Sequence, residues 1–181
     1  MGDNKNTFDA IVVGSGISGG WAAKELTEKG LRTLVLERGR DVKHVKDYPT
    51  ANLDPWELPN RNMLTEDDLE HCPIQSKVYH FGQDDKHFFV KDTENVYEQV
   101  KPFQWNRGYH VGGRSLLWSR HTFRWSDLDF NANQKEGVGI DWPIRYNDIA
   151  PWYDHVERFI GVSGSLAKSI THLYGAYCKS M

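Results

Sequence analysis

The chain has 181 residues, with 22 Lys and Arg against 25 Asp and Glu, for a net charge of −3. This mildly acidic balance, without a basic stripe, gives no reason to expect a nucleic-acid partner. No apolar run approaches membrane-spanning length, and two cysteines, Cys72 and Cys178, without Cys-x-x-Cys spacing rule out a disulfide framework and point to a reduced compartment.

The segment before Asp9 lacks a charged-then-apolar leader, so no signal peptide is expected and the location expected is cytoplasmic. Gly2 is not read as a myristoylation signal, because a folded element begins almost at once. That element is the run Ile11-Val12-Val13, which breaks into Gly14-Ser15-Gly16-Ile17-Ser18-Gly19. A buried strand, a Gly-x-Gly-x-x-Gly turn and a helix form the dinucleotide-binding fingerprint: Gly14 for the sharp turn, Gly16 for close approach of a pyrophosphate, and Gly19 for close helix–strand packing. Trp21–Lys29 is rich in helix formers, with Ala22 and Leu26 one turn apart on an apolar face, and Gly30 is placed as its left-handed stop. Leu31–Leu36 reads as a second buried parallel strand ending at Glu37, 23 residues after Gly14. A carboxylate there accepts hydrogen bonds from a ribose and repels a 2′-phosphate, which disfavours NADP. This β-α-β unit alone leaves FAD and NAD both open.

From Val42 to about Asn106 the pattern changes. Prolines 49, 55, 59, 73 and 102 punctuate it, and Glu66, Asp67, Asp68 and Glu70 suggest a solvated loop or a helix start. Alternation in Lys77–Phe81 and His87–Lys91 predicts short strands. The segment reads as an insertion wrapping the nucleotide-binding core. The eight histidines show no metal-ligand spacing, so no metal site is expected.

A second glycine block occupies Arg107–Trp118, with Gly112-Gly113-Arg114-Ser115-Leu116-Leu117 at its centre. A Gly-Gly pair after an extended approach suggests backbone that comes very close to something flat or charged, although an ordinary glycine turn would read the same way. Asp141-Trp142-Pro143-Ile144 is a turn. After it, Asn147 or Asp148 is expected to cap a helix with an apolar stripe of Ile149, Trp152, Tyr153, Val156 and Ile160, closed by Gly161 or Gly164.

Three segments in this order, Asp9–Gly20, Val111–Trp118 and Asp141–Ile144 with the helix ending Ile160-Gly161-Val162-Ser163-Gly164, resemble the glucose–methanol–choline family of flavin oxidoreductases. Leu36-Glu37-Arg38-Gly39 adds the end of the second strand. The likeness extends from about Phe8 to Gly164. It implies an α/β fold: a Rossmann-like FAD- or NAD(P)-binding domain over 8–164, with an inserted loop and short-strand region at about 42–106 and the C-terminal half of the family fold missing. Residues 165–181 would then be a divergent tail.

By position, the resemblance places Gly14, Ser15, Gly16, Ile17 and Ser18 around the FAD pyrophosphate, and Glu37 with Arg38 at the adenosine ribose. Gly112, Gly113, Ser115 and Leu116 would lie along the diphosphate, ribityl and flavin side. Some relatives attach flavin to a histidine after the Gly-Gly pair; here Leu116, Leu117 and Trp118 occupy that stretch, so non-covalent FAD is expected. The family's catalytic pair, a His with a second His or Asn, has no counterpart in 1–181, and no catalytic residue is assigned; His172 in the tail is read as bland. The implied activity is hydride transfer from a CH–OH group of a sugar or alcohol to flavin, with this chain inactive by itself and an uncovered apolar face at its sheet. Two other readings stand beside it: a non-catalytic flavin-binding remnant, and a short NAD-dependent dehydrogenase. The second glycine block and the Asp-Trp-Pro segment argue against the latter.

Overall fold

Strand β1, Ala10–Val13, runs parallel to β2, Thr33–Leu36, in the register Ala10 with Thr33 through Val13 with Leu36, and helix α1, Ile17–Glu28, makes the crossover. The computed structural model that shows this describes residues 7–163. Among these residues it forms two compact units, one ending at Trp118 and the other beginning at Ser119.

In the first unit, alternation along β1 decides which face is covered. Val12 is buried against α1, whereas Ile11 and Val13 are 61% and 82% exposed and Leu36 is 49% exposed. Parallel sheets normally bury both faces, so the sheet carries the uncovered apolar face that its sequence implies. Helix α1 begins at Ile17, one turn earlier than its helix-forming composition suggests, and Ala22 is exposed while Ala23 and Leu26 are half-buried. At its end Gly30 takes φ +85°, with Gly30 N–H donating to Thr27 O and Leu31 N–H to Leu26 O, a Schellman stop. The second strand starts at Thr33, two residues later than expected.

The insertion is built from turns. Lys77–Phe81 and His87–Lys91 are not strands: they lie in and around tight 3₁₀ turns at Gln75–Lys77 and Lys86–Phe88. Their alternation reflects side-chain packing, since Phe81 and Phe89 are buried with Cys72 and stack edge-to-face at 5.0 Å. The acidic cluster does start a helix, α2, Glu66–His71, capped by Thr65. Asp68 is not solvated, however. It is buried and accepts from Lys86 Nζ at 2.7 Å and Gln83 Nε2 at 2.6 Å, with Thr65 completing its shell. A second buried network joins Gln75 to Asp92 and to the backbone N–H of Arg107, which anchors the second glycine block to the insertion.

The second unit contains two helices, α3, Asp127–Glu136, and α4, Tyr146–Ile160. Helix α3 was not foreseen from the sequence, although Ser126 and Asp129 form a capping box at its start. Helix α4 begins at Tyr146, so neither Asn147 nor Asp148 is its N-cap. Asp148 instead reaches back to accept from the Arg145 N–H at 2.7 Å. Its inward face carries Ile149, Tyr153, Val156 and Glu157, while Trp152 and Ile160 are exposed. Gly161, φ +72°, ends the helix as expected, and Gly164 lies outside the described residues. Glu157 replaces an apolar residue on this face because it is paired. Arg124, 8% exposed, grips both of its carboxylate oxygens, through Nε at 2.6 Å and through Nη2, and also reaches Asp154 and the Tyr146 hydroxyl. The Glu157 hydrogen bonds raise the Arg124 pKa well above its ordinary value.

Candidate functional site

The glycine fingerprint folds as its spacing dictates. Gly14 adopts φ +88° at the end of β1, and its N–H donates to Leu36 O at 2.7 Å, fixing the turn against the end of β2. A Cβ on Gly19 would sit 2.0 Å from Gly14 O, so only glycine lets α1 pass this close to the strand. Gly16 is the N-cap of α1 and supplies no side-chain cap, and the first turn holds no acid. The first N–H groups of α1 therefore receive no side-chain cap from Gly16 and no acid from their own turn. A Cβ placed on Gly14 or Gly16 would meet nothing within 4 Å, which leaves open space over the loop where a phosphate would lie. Ile17 and Ser18 are exposed on the first turn beside this space.

Glu37 stands at the end of β2 with its carboxylate turned to the same loop. Oε2 accepts from Ser15 N–H at 2.8 Å and from Ser15 Oγ at 2.5 Å, and Oε1 accepts from Gly39 N–H at 2.8 Å. The Ser15 hydroxyl, then the backbone N–H groups of Gly39 and Ser15, hold its carboxyl at about 2, so it is negatively charged across the physiological range. The Arg38 guanidinium lies 3.8 Å from the centre of the Tyr109 ring, stacked on it.

The second glycine block is brought to this loop by a short parallel pairing. Arg40 N–H donates to Tyr109 O and Val111 N–H to Arg40 O. The approach is so tight that a Cβ on Gly39 would lie 2.2 Å from His110 N. Gly112 and Gly113 both take positive φ, +87° and +56°, and open a 3₁₀ turn over Gly113–Leu117. Gly112 N–H donates to Ser15 Oγ at 3.0 Å, and Ser115 Oγ donates to Gly112 O at 2.6 Å. A Cβ on Gly113 would be 3.2 Å from Gly16 Cα. The close neighbour of the Gly-Gly pair is thus, in part, the first glycine loop itself.

The structure brings Gly14, Ser15, Gly16, Glu37, Gly112, Gly113 and Ser115 to one place, with Ile17 and Ser18 on the adjoining helical turn and Leu116 half-buried in the 3₁₀ turn. Sequence reasoning placed Gly39 at the end of the second strand but gave it no contact with Glu37. The signal for Gly39 was its place two residues after the strand-end acid. His110 is 2% exposed, with Nε2 2.9 Å from Phe88 O, whereas His121 is exposed with Nδ1 2.9 Å from Ser119 Oγ. His172 and Cys178 lie outside the described residues. Among the described residues there is no group of three His, Cys, Asp or Glu placed to hold a metal ion, and no helix long and apolar enough to cross a membrane.

A parallel β-α-β unit with a glycine turn, an uncapped helix start and an acid on the second strand defines a Rossmann-type dinucleotide-binding domain. Residues 12–66 match the family described as the NAD(P)-binding Rossmann-like domain. The chain is 32% identical to the gluconate 2-dehydrogenase flavoprotein of Pantoea cypripedii, over 87% of this chain and 26% of that protein. It is 26% identical to the fructose dehydrogenase large subunit of Gluconobacter japonicus, over 94% of this chain and 30% of the relative. It is 28% identical to a cholesterol oxidase of Mycobacterium tuberculosis, over 87% of this chain and 22% of the relative. The chain therefore spans between a fifth and a third of the length of these curated relatives. The chain thus carries an NAD(P)-binding Rossmann-like domain and is similar over most of its length to oxidoreductases of the glucose–methanol–choline type, of each of which it matches a small part.

Proposed function

We propose that this chain supplies the FAD-binding part of an oxidoreductase acting on CH–OH groups of sugars or alcohols. The observation that carries the reading is the joint geometry of the uncapped α1 start and the Glu37 carboxylate beside it. One accepts a diphosphate and the other a ribose, within the same loop. In this reading Gly14, Ser15, Gly16, Ile17 and Ser18 hold the diphosphate through backbone donors, and Glu37 orients the adenosine ribose with Arg38 beside it. Gly112, Gly113, Ser115 and Leu116 line the side toward the flavin. The bound FAD would accept the hydride that leaves the substrate carbon.

The domain spans 8–164, with the insertion at about 42–106 and a divergent tail at 165–181. The flavin is held without a covalent bond, because Leu116, Leu117 and Trp118 occupy the stretch after the Gly-Gly pair and leave no histidine there. The substrate is a small sugar or alcohol, the electron acceptor is a separate species, and the location is the cytoplasm. No residue of this chain is assigned as the base that takes the substrate proton, and the chain by itself does not turn over. The NAD-dependent reading draws on the same β-α-β unit and on the matched family; the second glycine block, tied to Ser15, favours FAD. Purified chain mixed with FAD and desalted tests this: flavin absorbance should travel with the protein, and a colourless protein that retains NAD would overturn the proposal.

A further inference from the structure

Ser15 has a place that the cofactor reading does not explain. Its hydroxyl lies between two groups from distant parts of the chain, Glu37 Oε2 at 2.5 Å and Gly112 N–H at 3.0 Å. The direction of both hydrogen bonds is forced. A backbone N–H can only donate and an ionised carboxylate can only accept, so the single hydroxyl proton goes to Glu37 and an oxygen lone pair takes the Gly112 N–H. Such a chain, with a charged acceptor at its end, polarises both links. Alanine at this position would leave Gly112 N–H without its acceptor and remove one of the donors on Glu37. Gly113 is packed 3.2 Å (from an added Cβ) against Gly16 Cα, so the two glycine loops have little other freedom in how they meet.

We propose that Ser15 is a positioning residue, whose hydroxyl clasps the second glycine loop to the strand-end acid and so fixes the spacing of the two walls of the dinucleotide cradle. The inference rests on the FAD reading for its consequence, but its geometry is a property of the chain without cofactor. Occupancy at the ribose end would be felt at Gly112, and the reverse, through one hydroxyl. The low Glu37 pKa agrees with this arrangement, since the Ser15 hydroxyl is its largest cause.

The test compares the parent chain with Ser15→Ala and Ser15→Thr in two measurements. In the cofactor-free protein, amide hydrogen exchange at Gly112 should quicken about tenfold in Ser15→Ala, the worth of one hydrogen bond, and return to the parent rate in Ser15→Thr. Exchange at Gly39, whose acceptor is the other Glu37 oxygen, should change far less. In the second measurement, FAD affinity of the parent should be flat from pH 7 to 4, while Ser15→Ala should lose affinity as pH falls toward 4 because Glu37 protonates sooner. Ser15→Thr should restore the flat profile. If Ser15→Ala does not fold, Ser15→Cys, which keeps the shape with a weak donor, takes its place against Ser15→Thr. Unchanged Gly112 exchange, superimposed pH profiles, or a threonine variant that behaves like alanine would each overturn the clasp. A parent chain that binds no FAD while Gly112 exchange responds as stated would overturn the FAD reading and leave the clasp standing.

Discussion

Replacing Glu37 by glutamine keeps the shape of the side chain and removes its charge. Three hydrogen bonds converge on the native carboxylate, from Ser15 N–H, Ser15 Oγ and Gly39 N–H, at 2.5–2.8 Å. A glutamine amide has one acceptor oxygen, so its NH₂ must face either the Ser15 or the Gly39 donors, and that contact turns repulsive. A hydrogen bond to a charged group contributes about 1.5–3 kcal/mol. On the proposed ribose contact, Glu37→Gln should therefore weaken FAD binding by about 10- to 100-fold, at about 1.4 kcal/mol per decade. Calorimetric or fluorescence titration of parent and variant at pH 7 measures this directly. The pH dependence has a fixed sign. Glu37 sits at about 2 in the folded chain against an ordinary 4.5, so its stabilising contribution is complete above about 4.5 and lost as pH falls through 2. The variant should lack that acid dependence. A glutamine variant that binds FAD within about twofold of the parent, far short of the loss of a charged hydrogen bond, would refute the ribose assignment.

Acid precipitation of the FAD-loaded chain should release all flavin into the supernatant; fluorescence left on the denatured protein would contradict non-covalent binding and direct attention to buried His110 or exposed His121. With FAD, an artificial acceptor and a panel of aldoses, polyols and simple alcohols, the chain alone should show background reduction only, because loss of general-base assistance by itself costs about 10²–10⁴-fold. Robust turnover that vanished in His172→Ala would sink that expectation. Arg124→Ala should destabilise the second unit by about 3–5 kcal/mol, since it strands buried Glu157 without its partner. Urea melts followed at the tryptophans near the network measure this, and a change below about 1 kcal/mol would show that the buried pair is not integral to the unit.

The β-α-β unit was legible because its signals are local and agree with one another. Apolar runs of strand length, glycines where φ must be positive or a helix must pass close, and an acid at the strand end all point the same way. Gly14, Gly19 and Gly30 take the roles that their spacing gives them. The insertion was not legible, for the opposite reason. Alternation at 77–81 and 87–91 looks like strand periodicity, but a strand needs a ladder partner, and nothing in a local pattern supplies one. Phe81 and Phe89 bury themselves around Cys72 from tight turns instead. Glu157 was hidden because a charged residue on an inward helix face is read as solvated until its partner, 33 residues away, is known. At the candidate site, the residues were identifiable but their mutual contacts were not. That Ser15 would hold both Glu37 and Gly112 depends on a pairing of Arg40 with His110 that brings residue 112 next to residue 15.

The most direct measurement of the central claim is a side-by-side calorimetric titration of the purified chain with FAD, NAD and NADP at pH 7. The open space over Gly14 and Gly16 and the ionised Glu37 carboxylate predict that NADP, whose 2′-phosphate would face Glu37, binds least, and the second glycine block tied to Ser15 predicts that FAD binds more tightly than NAD. NADP binding as well as FAD, or no dinucleotide binding at all, would contradict it.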